Sequence, residues 1–394
     1  MSASKTLRFS RLTLRNWRNF ISIEDLELSR RVFIVGPNAI GKSNLLDVFR
    51  FMRDLVLEGG GLAKALELRG GLAAVRSLHA RQMSDVFIGL DVVDESGSGW
   101  RYELAFNRET AKTARAIVVS EKAWKLIQGD PGELLLDRPD THDRSDKERL
   151  TQTALQQTTA NQSFRGLADF LRGVSYLHLV PQLLREEQVP LQGRLGIDPF
   201  GRDLLERIQK TTSKTRGGRL KRIQKVLKVV APQLQELSFV ADDLGRPHLA
   251  AKFQHWRAQG AKQRETQFSD GTLRLIGLLW TMQEKTGPLL LEEPELSLHT
   301  GIVSRLAPFI HRAQVAADGR QVILSTHAEH LLADPGISPE EVFLVRPAVE
   351  GSEVVAAAEN DQICRLMQNG ILASEAVLPQ SASKQLRLFD RAKP

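Results

Sequence analysis

Gly36-Pro37-Asn38-Ala39-Ile40-Gly41-Lys42-Ser43 has the pattern GxxxxGKS, and its flanks decide how it is read. Upstream, Arg31 to Val35 is an apolar run of strand length. Downstream, Leu45, Phe49, Met52 and Val56 recur at helical spacing. A strand that runs through a glycine loop into a helix is the setting a phosphate site needs. Gly36 and Gly41 permit backbone angles that other residues resist, so successive N–H groups can turn inward around phosphates. The positive end of the following helix adds to that attraction. In such a cradle Lys42 reaches the terminal phosphates and the Ser43 hydroxyl ligates magnesium. Pro37, Asn38, Ala39, Ile40 and Asn44 complete the candidate nucleotide-binding set.

Outward from this loop, Lys5 to Arg15 and Ile21 to Leu28 read as strands around a turn at Arg15-Asn16. Val86 to Val93 and Trp100 to Phe106 read as a hairpin, with short strands at 116–119 and 123–127. These predict a mostly antiparallel sheet beside the loop. Gly129 to Asn161 is polar and predicts an exposed loop and a weak helix, the start of an insertion. Helices follow at Asp203–Lys210 and Arg219–Val230, with a glycine break at Gly217-Gly218. After Gly260, helix and strand alternate: Thr272–Glu284, Leu289–Leu291, Ser297–Val315, Gln321–Ser325 and Val342–Arg346. That order predicts a parallel sheet covered by helices. The fold class is α/β, with an N-terminal lobe over 1–128, a helical insertion over 129–260, a C-terminal lobe over 261–358 and a tail over 359–394.

Three further motifs carry chemistry. Leu289-Leu290-Leu291-Glu292-Glu293 is an apolar strand that delivers two carboxylates at its C-terminal end, where open α/β sheets bind ligands. Neighbours on a strand point opposite ways, so one carboxylate suits magnesium and the other the attacking water. Ser269-Asp270-Gly271 precedes an apolar helix that either Ser269 or Asp270 can cap. Val322 to Thr326 is another apolar strand, ending at His327.

In this order the motifs resemble the ATP-binding-cassette ATPases, and within them the RecF and structural-maintenance-of-chromosomes branch built as a single compact head. The resemblance covers residues 5–60 and 265–346. It implies an ATP- and Mg2+-dependent hydrolase whose fold is the P-loop head just outlined. Ser269, Asp270 and Gly271 fall on the signature motif, which in that family contacts ATP held by the opposite subunit, so a homodimer is implied. Glu292 falls on the magnesium carboxylate, Glu293 on the general base and His327 on the switch histidine, with Lys42 the third catalytic residue. Gln82 is the candidate for the glutamine loop, and reads equally as a surface residue. Two departures stand out: Glu292 replaces the usual aspartate, and SDG replaces SGG. The separation of 250 positions from Lys42 to Glu292 is too short for long coiled-coil arms.

Composition bounds the partners. A net charge of +7 and a pI near 9.6 admit an anionic partner without showing one. Lys210, Lys214, Arg216, Arg219, Lys221, Arg222, Lys225 and Lys228 interleave with Leu220, Ile223, Leu227 and Val230, giving a helix with a cationic face that serves either solvent or DNA phosphates. The single cysteine, Cys364, excludes an internal disulfide and a CxxC metal knuckle. No apolar run approaches the roughly 18 residues of a membrane span, and the arginine-bearing N-terminus does not read as a signal peptide, so the cytoplasm is expected. Gln385, Leu386, Leu388 and Phe389 resemble the peptide that docks bacterial sliding clamps. Three roles follow: an ATPase of anti-phage defence governing a nuclease effector in trans, a RecF-like DNA-repair ATPase, or a slow-turnover scaffold locked by nucleotide.

Overall fold

The structure is a computed structural model and describes residues 6–80, 85–109, 115–185, 196–254, 261–284 and 287–381. β1 (Arg8–Trp17) and β2 (Phe20–Glu27) form an antiparallel hairpin. Its turn is Arg18-Asn19, between the paired Trp17 and Phe20, and not Arg15-Asn16. The buried Trp17 side chain carries the strand past Asn16, which stays in register at a φ of 57° and gives its amide to the Asp85 carbonyl. β3 (Arg31–Val35) enters the glycine loop, and the helix Lys42–Val56 leaves it, as the sequence predicts.

β4 (Val86–Val93), β5 (Gly99–Arg108), β6 (Ala116–Ile127) and β7 (Asp130–Arg138) extend an antiparallel meander from β1. Two expectations are corrected here. β6 is one strand and not two, and the polar stretch after Gly129 contributes the edge strand β7. Part of that polarity is internal. Arg138 pairs with Glu121 at 2.9 Å and with Asp143 at 2.8 Å, and the Tyr102 hydroxyl donates to Glu121 at 2.7 Å, all four residues buried. Charges buried in this way hold a fold only when paired. The helix Arg165–Arg172 then buries Leu167 and Leu171 against the same core.

β8 (Ser175–Leu177) is three residues long and leads into the inserted region. That region is not purely helical. The helix Ser213–Val230 is followed by a three-stranded antiparallel sheet of β9 (Leu234–Ala241), β10 (Pro247–Phe253) and β11 (Ala261–Arg264). The expected break at Gly217-Gly218 is absent, and the helix runs through both. Two glycines cost about 1 kcal/mol each in a helix interior, and burying Leu220, Ile223 and Leu227 offsets this.

The last third alternates as expected: the helix Asp270–Met282, β12 (Leu289–Glu292), β13 (Val322–Thr326), β14 (Val342–Pro347) and β15 (Ser352–Ala356). The helix expected over 297–315 is two, Thr300–Val303 and Leu306–Ala316, which separate where the Arg305 guanidinium folds back onto the Gly301 carbonyl. The expected tail contains the helices Asp361–Gln368 and Ala373–Ser381, which bury Ile363, Ala373, Ala376 and Val377.

Twelve strands make one sheet in the order β7-β6-β5-β4-β1-β2-β15-β14-β3-β13-β12-β8. From β14 to β8 the pairing is parallel. Strand alternation sorts the side chains into two cores. Val32, Ile34, Leu290 and Ile323 lie under the helix Lys42–Val56, while Phe33, Val35, Leu289, Leu291 and Leu324 lie under the helix Asp270–Met282. The parallel strands β3, β12 and β13 therefore end together, at the edge from which the glycine loop, the carboxylates and His327 project.

Candidate functional site

Two observations explain the glycines of the loop. A Cβ on Gly36 would lie 2.5 Å from the Val345 carbonyl of β14, and Gly41 sits at a φ of 109° with Asn19 where its side chain would be. Gly41 is the N-cap of the helix, supplies no capping side chain, and is followed by no acidic residue in the first turn. The helix's positive end is left for an anion. The loop is braced from outside: the Asn19 amide donates to the Ile40 carbonyl at 2.7 Å, Ser352 donates to the same carbonyl at 2.9 Å, and the Asn44 amide donates to Asn19 at 2.7 Å. Asn44 thus anchors the cradle with its side chain, and its carbonyl accepts from the Trp17 indole.

Lys42 folds back, its ammonium donating to the carbonyls of Gly36 at 2.8 Å and Pro37 at 3.0 Å. Burial pulls its pKa below the ordinary lysine value, against the charges of Glu293, Glu295 and Glu292. The Ser43 hydroxyl donates to one Glu292 carboxylate oxygen, and Tyr176 of β8 donates to the other. Burial raises the Glu292 pKa, and the Ser43 bond opposes it. Hard oxygen donors brought together from loop and strand are the set a magnesium ion takes, so the extra methylene of Glu292 does not prevent the fit.

At Glu293 the chain leaves the strand with a φ of 42°, a conformation uncommon outside glycine, held by its N–H on the Ser325 carbonyl at 3.1 Å. That turn sends its carboxylate to the His327 imidazole, 3.2 Å away. The buried Glu295 accepts from the Thr326 hydroxyl at 2.6 Å, tying the carboxylate loop to the end of β13, and burial raises its pKa. Glu293, Glu295 and Glu292 all act on Lys42, while Arg274 also faces Glu293 and Glu295, and Arg50 faces Glu292.

The Ser269–Gly271 segment does not join this cluster. Ser269 caps its helix through the N–H of Thr272. Asp270 is paired within its own chain with Arg185 at 2.6 Å and accepts a hydrogen bond from the Gln182 amide at 2.7 Å. Gly271 lies against the Ser297 carbonyl, 2.6 Å from where a Cβ would be. Gln82 and residues 385–389 lie outside the described residues. Sequence reasoning missed Asn19, Tyr176, His178, Gln182 and Arg185. The three-residue run Ser175-Tyr176-Leu177 is too short to register as a strand of the main sheet, although a phenol inside an apolar run was a readable signal.

Comparison with known proteins gives three kinds of likeness. Residues 31–333 match the family described as "AAA domain, putative AbiEii toxin, Type IV TA system". A 93-residue stretch is 31% identical to the chromosome partition protein Smc of Cereibacter sphaeroides, over 22% of this chain and 8% of that protein's length. Among solved structures, an Smc head bound to the C-winged helix domain of ScpA aligns at TM-score 0.49 and 15% identity, over 88% of this chain and 96% of that one. The SMC head of Thermotoga maritima aligns at 0.44 and 14%, over 89% and 98%. Among the described residues no helix is long and apolar enough to cross a membrane. The matched span runs from the strand before the glycine loop past His327 and takes in the loop, the paired carboxylates and the Ser269–Gly271 segment, and the chain belongs to this AAA-domain family.

Proposed function

We propose that the chain binds ATP with magnesium and hydrolyses it at two sites, each shared between two copies of the protein. The observation that carries the proposal is the meeting of Ser43 with Glu292, beside the Glu293–His327 pair, at the mouth of a loop with uncapped backbone donors. The loop N–H groups would hold the phosphates, and Lys42 would leave the Gly36 and Pro37 carbonyls for the terminal phosphate. Ser43 and Glu292 would hold magnesium, which when bound neutralises charge on the phosphate oxygens. Glu293 would orient the attacking water and accept its proton, with His327 setting the direction of that carboxylate.

Sharing between copies is supported by the signature segment. It presents a capped helix start with an exposed Ser269 and makes its own hydrogen bonds elsewhere. A second copy would supply this donor to the phosphate. Measuring turnover of the wild type beside Glu293→Gln tests the reading. Equal rates would show that the carboxylate does no catalysis and would leave a nucleotide-locked scaffold.

On what the ATPase governs, the family's description names a putative toxin of a type IV toxin–antitoxin system, and on that ground we place defence ahead of repair; an effector acting in trans is part of the same proposal. DNA remains a partner of this proposal. On the helix Ser213–Val230, Lys214, Lys221, Lys225 and Lys228 form no ion pair among the described residues, so four cations stand ready for phosphates.

A further inference from the structure

We infer that Tyr176 is a positioning residue for the magnesium carboxylate, holding one oxygen of Glu292 so that the other is shared between Ser43 and the metal. The inference deepens the proposed magnesium–nucleotide reading and rests on it. In the parallel register of β8 and β12, Tyr176 lies opposite Leu290. Strand alternation then puts Tyr176, Leu290 and Glu292 on one face of the sheet, beneath the helix that follows the glycine loop. Tyr176 is 7% exposed as a residue, and the Arg50 guanidinium lies over its ring, 5.3 Å from the centroid. From this fixed place its hydroxyl donates to the Glu292 oxygen that Ser43 does not use.

The arrangement answers the length of the side chain. A glutamate has one more rotatable bond than an aspartate, and a carboxylate that swings cannot present one oxygen in a fixed direction. Two donors, from the loop and from the neighbouring strand, remove that freedom. The phenol is neutral, so it fixes the carboxylate without competing for it as a cation would. His178, the residue that follows β8, places its Nδ1 3.4 Å from the Glu292 backbone carbonyl, beside the end of β12.

Binding of a fluorescent non-hydrolysable ATP analogue, titrated with Mg2+ and repeated in EDTA, tests this on the full chain. Tyr176→Phe keeps the ring against Arg50 and removes only the hydroxyl. Its expected effect is a rise of about tenfold in the Mg2+ concentration for half-maximal enhancement, with affinity in EDTA unchanged. In a Glu292→Asp background, where the carboxylate no longer reaches the phenol, the same substitution is expected to change nothing. A Tyr176→Phe titration that overlays the wild type, or an equal loss of affinity with and without Mg2+, overturns the inference and leaves a packing role. A wild type whose binding ignores Mg2+ overturns instead the magnesium reading beneath it.

Discussion

The loop end of the molecule and the signature end are built on opposite plans. Around Gly36–Ser43 the chain closes on itself: Asn19, Trp17 and Ser352 brace the loop, Lys42 is parked on carbonyls, and Glu292 is claimed by two hydroxyls. Around Ser269–Gly271 the contacts face away from the loop, and the serine caps a helix with its surface open. Under the proposal the first region is one half of a shared site. The second is an exposed serine whose hydrogen bonds reach no further than the N–H and hydroxyl of Thr272 on its own helix, and under the proposal a twin copy would bring it a phosphate.

The sharpest contrast between the two comes from separating chemistry from assembly. Glu293→Gln keeps the shape and removes the base, so hydrolysis is expected to fall about 10³-fold while analogue binding holds, read by steady-state turnover beside equilibrium binding. Ser269→Arg blocks the other region. It is expected to lower turnover about 10²-fold and to abolish ATP-dependent dimers by light scattering, with monomer binding of ATP retained. Loss of binding in Ser269→Arg would break the comparison, because it would put the serine in its own chain's site.

Smaller effects sharpen the picture around these two regions. Replacing Lys214, Lys221, Lys225 and Lys228 together by Ala is expected to weaken duplex DNA binding at low salt about tenfold and to flatten its salt dependence, with ATP turnover in the absence of DNA unchanged. An unaltered salt slope would take DNA off that helix.

The smallest effect concerns Glu295, whose pKa burial raises. The folded state keeps this proton at a pH where the unfolded chain has lost it. Its contribution to stability is therefore greatest below the unfolded carboxylate's pKa of about 4.3 and declines as pH rises through the raised folded value. Thermal unfolding across that window is expected to show a shallower decline in Glu295→Gln than in the wild type. An unchanged slope would mean that Glu295 is not the group responsible.

What was legible in the sequence follows the same division. The glycine loop, its strand and helix, the paired carboxylates and the strand-ending histidine each declare themselves within ten residues, because their chemistry needs local spacing. The sheet's far edge did not. β7 hides in a polar stretch because Arg138, Glu121 and Asp143 satisfy one another inside the fold, a pairing that spans 23 residues. β8 is three residues whose place is fixed only by β12, more than a hundred residues later, so Tyr176 could not be assigned to the site from its neighbours. The glycine pair inside Ser213–Val230 misled for a related reason: local propensity marks a break, and the buried leucines overrule it. Asp270, a departure from the family pattern, is explained only by Arg185 and Gln182, which the fold brings to it from the start of the insertion.

Mixing two inactive subunits tests the shared site most directly. Lys42→Ala removes the loop's cation but leaves a sound signature, and Ser269→Arg does the reverse, so a mixed dimer holds one intact site. Turnover is expected to be near background for either variant alone and to return on mixing, rising with the fraction of mixed dimer seen by native mass measurement. Mixed dimers that form in the presence of ATP and remain as inactive as their parents would contradict an ATP held between the loop of one copy and the signature of the other.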